Sequence, residues 1–175
     1  MSARQDWTLR LARPEDADAM PEVEREAAIL FADDPDLSDF DLDATRTADE
    51  SRVLIRKGHT LVVHVGDQMA GFILTEPFSR ELHVWEMSVH PKFQRRGIGA
   101  GLIRACKVDA RNSGFRALTC TTFRDVPFNA PFYKRLGWEE LTALDAHPRL
   151  AGELAEEIES GLPAERRCAM ICFLD

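Results

Sequence analysis

The stretch His90-Pro91-Lys92-Phe93-Gln94-Arg95-Arg96-Gly97-Ile98-Gly99-Ala100 constrains this chain more than any other. It follows an alternating run, Glu81 to Val89, that reads as a strand with Leu82, Val84 and Glu86 on one face and His83, Trp85, Met87 and Val89 on the other. It opens an amphipathic helix from about Gly97 to Asn112, with Ile98, Leu102, Ala105 and Cys106 on one side and Arg104, Lys107 and Arg111 on the other. A strand thus delivers the chain into a glycine-rich loop at a helix start. Gly97 and Gly99 let the backbone approach a ligand, and the helix N-terminus turns free amides and partial positive charge toward it. Gln94, Arg95 and Arg96 add side-chain donors, and the combination suits a pyrophosphate. Two familiar nucleotide loops do not fit. The G-x-G-x-x-G of a dinucleotide fold is absent, because the third glycine falls at Gly101, and no Gly-Lys-Ser/Thr follows for a Walker loop.

The rest of the sequence supplies alternating elements. Thr8 to Ala12 reads as a strand, and Pro14, Glu15 and Asp16 start a helix that extends to about Phe31. Asp33 to Asp43 holds six Asp and no base, and reads as a loop that is either simply solvated or attractive to a cationic acceptor. A second helix runs from about Thr45 to Lys57. His59 to Val65 and Gln68 to Thr75 form a hairpin through Gly66-Asp67, an order that favours a type II′ turn. Phe115 to Phe123 is a strand, Asn129 to Leu136 a short helix closed by Gly137, and Trp138 to Leu144 another strand. Pro148 to Ser160 is helical and Cys168 to Leu174 is the last strand. No repeat or linker interrupts this order, so residues 1–175 read as a single domain of mixed α/β type.

Composition excludes several classes. The 175 residues are 45% hydrophobic and 30% charged, the balance of a soluble globule. Lys plus Arg is 22 against 30 for Asp plus Glu, a net charge of −8 that repels nucleic acid and anionic membrane. Cys106, Cys120, Cys168 and Cys172 form no C-x-x-C pair and have no zinc spacing with the histidines. They read as buried reduced thiols in a cytoplasmic protein, with no metal site. No secretory leader or membrane-spanning run is legible.

The sequence resembles the GNAT superfamily of acetyl-CoA-dependent N-acetyltransferases. One signature of that family, Val-x-Pro followed by Gln/Arg-x-x-Gly-x-Gly/Ala at a helix start, is met by Val89-His90-Pro91 and Gln94-Arg95-Arg96-Gly97-Ile98-Gly99. A second, Asn-x-x-Phe-Tyr-x-x-x-Gly-aromatic, is met by Asn129-Ala130-Pro131-Phe132-Tyr133-Lys134-Arg135-Leu136-Gly137-Trp138. The strong resemblance spans about Leu82 to Trp138; Ala32 to Asp49 and Ala146 to Ala164 match no pattern of the family. It implies an α+β fold with a mostly antiparallel central sheet of about seven strands and helices on both faces. Two parallel strands, Glu81 to Val89 and Phe115 to Phe123, would splay apart. It also implies acetyl-CoA as co-substrate: backbone of Met87 and Val89 on the pantetheine arm, Gln94 through Ala100 on the pyrophosphate, and Asn129 and Phe132 against the cofactor. Tyr133 would face the sulfur.

The implied chemistry needs a base. A lysine-like amine is only about 0.04% neutral at pH 7, a handicap of roughly 4.6 kcal/mol before any bond forms. Glu86, five residues before Pro91, is the candidate, acting directly or through water once burial raises its pKa; pairing with an arginine is its other reading. Backbone N–H of Met87 could meet charge on the acyl oxygen. Tyr133, the chain's only tyrosine, could donate a hydrogen bond to the departing thiolate or simply pack beside Phe132 and Leu136. Asn129 could cap its helix while its amide nitrogen reaches a ligand. The expected function is acetyl transfer to a primary amine of a small molecule, peptide or protein. The alternative is a catalytically silent acyl-CoA-binding sensor or interaction module. Exposed apolar segments near the C-terminal strand could pair between subunits, as sheet edges can, to give a homodimer.

Overall fold

A computed structural model describes residues 6–37 and 45–174. The second half of the acidic loop, Ser38 to Asp43, lies outside the described residues. Seven strands form one sheet: β1 (Thr8–Leu11), β2 (Leu61–Val65), β3 (Gln68–Phe78), β4 (Glu81–Val89), β5 (Ala117–Phe123), β6 (Glu139–Glu140) and β7 (Arg167–Phe173), ordered β1-β2-β3-β4-β5-β7-β6. Antiparallel ladders join β1 to β2, β2 to β3, β5 to β7 and β7 to β6. Strands β4 and β5 run parallel, and their ladder ends at Val84 and Cys120 although β4 continues to Val89 and β5 to Phe123. The expected mixed sheet with one parallel pair is therefore present. Among the described residues five α-helices accompany it: α1 (Met20–Ala28), α2 (Ala48–Ile55), α3 (Ile98–Asn112), α4 (Ala130–Arg135) and α5 (Pro148–Glu159). Among the same residues no helix is long and apolar enough to cross a membrane. By their contacts the residues divide into two compact units, Met1–Glu76 with Glu86–Cys106 and Pro77–Trp85 with Lys107–Asp175.

In the first unit the expected helix from Pro14 is broken into a 3-10 turn, Pro14–Ala19, and α1, because Pro21 sits at the start of the regular helix and cannot donate to a preceding turn. Asp16 fixes the join. It accepts two guanidinium bonds from Arg10, at 2.7 and 2.9 Å, and the Arg13 amide at 2.6 Å. Helix α2 starts with a capping box between Thr47 and Glu50. The β2–β3 hairpin turns on Gly66 at φ +58°, as the type II′ reading requires, and β3 runs three residues beyond Thr75. Gly71 of β3 lies so close to β4 that a Cβ there would sit 2.8 Å from the Ser88 carbonyl oxygen.

In the second unit β5 pairs along its whole length with β7, from Ala117 opposite Phe173 to Phe123 opposite Arg167. One expectation needs correction here. The strand expected from Trp138 to Leu144 shrinks to Glu139–Glu140: the Leu141 amide still donates to the Ala169 carbonyl at 2.9 Å, but the chain enters a 3-10 turn at Leu144, and both leucines pack on Leu150, Leu154 and Ala169. The last strand, β7, lies between β5 and the two-residue β6, which pairs with it only at Met170 and Ile171. All four cysteines are buried and free.

Candidate active site

The two family motifs fall in different units, so the site residues form two groups. In the first unit, the chain leaves β4 at Val89, makes a 3-10 turn at Pro91–Phe93 and enters α3. Gln94 ties this turn to the strand, its Nε2 donating to the Val89 carbonyl at 3.1 Å. Arg95 has φ +61°, a left-handed conformation costing on the order of 1 kcal/mol for a residue with a Cβ, and Gly97 follows at φ +77° with open space where a Cβ would point. This double reversal places the arginines and the free end of α3 in one loop. The first α-helical bond closes from the Gly101 amide to the Gly97 carbonyl, so the Ile98, Gly99 and Ala100 amides lie outside the helix ladder. Arg95 and Arg96 are exposed. Gln94 through Ala100, the residues expected to meet a diphosphate, thus lie in one loop whose course the backbone sets.

Upstream on β4 lies the expected base. Ser88 Oγ donates to Glu86 Oε1 at 2.6 Å, and the Met87 amide donates to the same carboxyl. The backbone groups expected to meet the cofactor are thus partly engaged already: Met87 N–H by Glu86, the Val89 carbonyl by Gln94. Burial pushes the Glu86 carboxyl above the ordinary range, against the hydrogen bonds of Ser88 and Met87 and the charge of Arg46.

A second carboxyl shares this environment. Glu24 of α1 is pushed up to about 7, first by burial and then by the charge of Glu86, while the Arg46 amide and guanidinium oppose the shift. Two carboxyls facing one guanidinium cannot both ionise freely, and the pair retains a proton near neutrality. Sequence reasoning missed Glu24, Arg46 and Ser88. One signal was legible. Met20, Val23, Glu24 and Ala27 follow the i, i+3, i+4, i+7 spacing of a core-facing stripe, and a carboxylate on such a stripe is costly unless something requires it. Arg46 gave no such signal, since it precedes α2 in a segment without periodicity.

The second unit holds Asn129, Phe132 and Tyr133. Asn129 precedes α4, but its side chain does not cap that helix as expected. Its Oδ1 accepts from Thr122 Oγ at 2.8 Å and from the Phe123 amide at 3.4 Å, so it fastens the end of β5, and Nδ2 is the donor end that remains. The reason is backbone direction: Asn129 has φ −112° and ψ −119°, outside the extended conformation of a capping residue. Tyr133 is 7% exposed, edge-on to Phe132 at 5.6 Å between ring centroids and 5.0 Å from Trp138. Its ring is packed within the unit, and its hydroxyl is the polar end of that packing.

A sequence model of the acetyltransferase (GNAT) domain matches residues 56–140, which include β2 through α4 and both motifs. A GNAT acetyltransferase domain is thus recognised over residues 56–140. Solved structures share its fold at low identity. The PaiA N-acetyltransferase of Thermoplasma acidophilum, solved with coenzyme A, superposes with a TM-score of 0.71 at 14% identity, covering 95% of this chain and 98% of that one. The ribosomal-protein-S18-alanine N-acetyltransferase of Escherichia coli gives 0.66 at 15%, covering 97% and 94%. The N-acetylglutamate synthase of Neisseria gonorrhoeae, complexed with coenzyme A and N-acetyl-glutamate, gives 0.69 at 14%, covering 97% of this chain and 35% of that chain. At these identities the likeness is one of fold.

Proposed function

We propose that the protein moves an acetyl group from acetyl-CoA to a primary amine by direct attack, with Glu86 as the proton acceptor. The observation that carries this reading is the state of Glu86: a carboxyl whose pKa burial has raised toward that of a useful base, held by Ser88 on the strand that leads into the diphosphate-shaped loop. The loop fits coenzyme A. Open space beside Gly97, three helix-end amides and two exposed arginines are what a diphosphate would use, and the backbone of Met87 and Val89 would meet the pantetheine arm once it displaces Glu86 from the Met87 amide and Gln94 from the Val89 carbonyl. Acetyl-CoA supplies the activated acyl carbon as a thioester.

The chain's residues then handle protons. Glu86, directly or through a water, takes the first proton from the arriving ammonium and frees its lone pair. The proton that the nitrogen sheds on acylation balances the departing thiolate, toward which Tyr133 donates a hydrogen bond; full transfer from a phenol of pKa near 10 to a thiolate whose acid is near 8.5 is uphill by about 2 kcal/mol. Asn129, with Nδ2 as its remaining donor, and Phe132 are the cofactor contacts of the second unit. Glu24 and Glu86 make the surroundings of the base acidic, which favours an acceptor that arrives as a cation, whether a small amine or the amine of a peptide or protein. Buried free thiols fit a cytoplasmic setting.

The test is to incubate the protein with acetyl-CoA and a panel of small amines and peptides while following free thiol. Turnover that Glu86→Gln lowers by about 10² to 10³ and that rises with pH through the titration of the carboxyl pair is the expected result. Coenzyme A binding with no turnover across the panel would favour a silent acyl-CoA-binding module instead.

A further inference from the structure

Three glycines alternate at the start of α3, and the diphosphate loop uses only Gly97 and Gly99. Gly101 serves a different neighbour. A Cβ placed on it would lie 2.7 Å from Cη2 of Trp7 and 3.2 Å from its Cζ2, so the indole occupies the notch that a side chain would fill. The same ring reaches the loop itself, Nε1–H donating to the Arg96 carbonyl at 3.4 Å. Its sequence neighbour takes the side chain: Asp6 Oδ2 lies 3.0 Å from Nη1 of Arg96, whose guanidinium carbon is 5.4 Å from the centroid of Phe93. Two consecutive residues ahead of β1 therefore hold the first turn of α3, the backbone of Arg96 and the charge of Arg96.

We propose that Asp6 and Trp7 are positioning residues for the diphosphate loop: Trp7 wedges the first turn of α3 in place, and Asp6 holds Arg96 until an anion displaces it. The inference rests on the loop being a coenzyme A diphosphate site. A loop that binds through backbone amides works only if they converge, and a rigid aromatic ring seated in a glycine notch fixes their direction at little entropic cost. Asp6 acts in the opposite sense. Its carboxylate stands where the diphosphate would place negative charge, so it competes for Arg96 while keeping the guanidinium near the loop. Both partners are exposed, with side chains 59% and 41% accessible, so displacing Asp6 costs little and the effect is screened by salt.

The experiment is a calorimetric titration of coenzyme A into the wild type, Asp6→Asn, Trp7→Leu and Gly101→Ala, with melting curves to confirm folding. Asp6→Asn is expected to tighten binding about threefold at low salt, the size of one exposed ion pair, and to lose that gain near about 0.5 M salt. Trp7→Leu is expected to weaken binding about tenfold. Gly101→Ala keeps the indole but denies it its seat, and should weaken binding in the same direction. Should Trp7→Leu fail to fold, Asp6→Asn and Gly101→Ala decide the matter. A wild type that does not bind coenzyme A removes the reading of the loop. A wild type that binds, with the folded variants within twofold of it, overturns the inference and leaves that reading standing.

Discussion

Strand β4 presents two partly buried polar clusters from adjacent positions, and they differ in how their groups are bonded. Around His83, a residue with no exposed surface, two carboxyls, Glu81 and Glu153, share the guanidinium of Arg149. Arg149 of α5 donates to Glu153 at 2.7 Å, to Glu81 at 2.9 Å and to Thr119 at 2.9 Å, and its guanidinium carbon lies 4.4 Å from the ring centroid of Phe78. His83 Nδ1 faces both Thr119 Oγ, at 3.0 Å, and Arg149 Nη1, at 3.3 Å, and so acts as an acceptor. Burial, and then the charge of Arg149, push the imidazole down to about 3, so it stays neutral at any physiological pH. Around Glu86 two carboxyls likewise face one guanidinium, that of Arg46, but there the charge of Glu86 adds to burial in pushing Glu24 up to about 7. In the first arrangement Arg149 bonds both carboxyls and Thr119 directly and fastens α5 to the sheet. The second leaves a proton-binding capacity that the fold does not use, which is what catalysis requires.

The comparison can be broken from either side, and the largest effect is expected at Glu86. Glu86→Gln should lower kcat by about 10² to 10³, the usual contribution of a positioned base, with melting temperature at neutral pH unchanged or raised. A variant that keeps full turnover would make the Glu86 cluster as structural as the His83 one. Arg149→Ala should lose about 2 kcal/mol in urea unfolding, a figure reduced from that of a fully buried pair because the arginine is a quarter exposed. Turnover per folded molecule should hold. A fall in kcat comparable to that of Glu86→Gln would show that the paired cluster also takes part in the reaction.

Gly71→Ala should cost about 1–3 kcal/mol, because the new methyl meets the Ser88 carbonyl, a backbone atom that cannot rotate away. It should also lower turnover by shifting the strand that carries Glu86, and retained turnover would show that the Ser88–Glu86 geometry tolerates displacement. The smallest effect distinguishes the clusters by pH. Glu24 has a folded pKa raised to about 7 from 4.5, so its contribution to stability is whole below about pH 4.5 and is lost as pH rises through 7. Glu24→Gln should therefore melt about as the wild type does near pH 5 and on the order of 3–5 °C higher near pH 8. A constant difference across that range would mean that Glu24 does not share the proton of Glu86.

Local signals found most of the elements because each was written into a few neighbouring residues. The hairpin turned where Gly66 allowed a positive φ, α3 ended near Gly114, and Gly137 closed the turn after α4. The Trp138 to Leu144 run misled for the same reason: its apolar positions were real, but the chain enters a 3-10 turn at Leu144, and Leu141 and Leu144 pack on α5. The glycine-rich loop and the place of Glu86 on β4 were likewise legible, since one rests on glycines and a helix start and the other on alternation along a strand.

What sequence determined by itself were properties set by contiguous residues: element type, turn chemistry, the glycine-rich loop and the overall acidic charge. Tertiary structure alone decided the pairings between distant residues. It set Glu24 beside Glu86 across 62 positions, turned Asn129 to β5 instead of its own helix, placed β7 inside the sheet and seated Trp7 on Gly101. The physical reason is that burial and charge coupling depend on which surfaces meet in space, and no periodicity within one segment encodes the partner that another segment will bring.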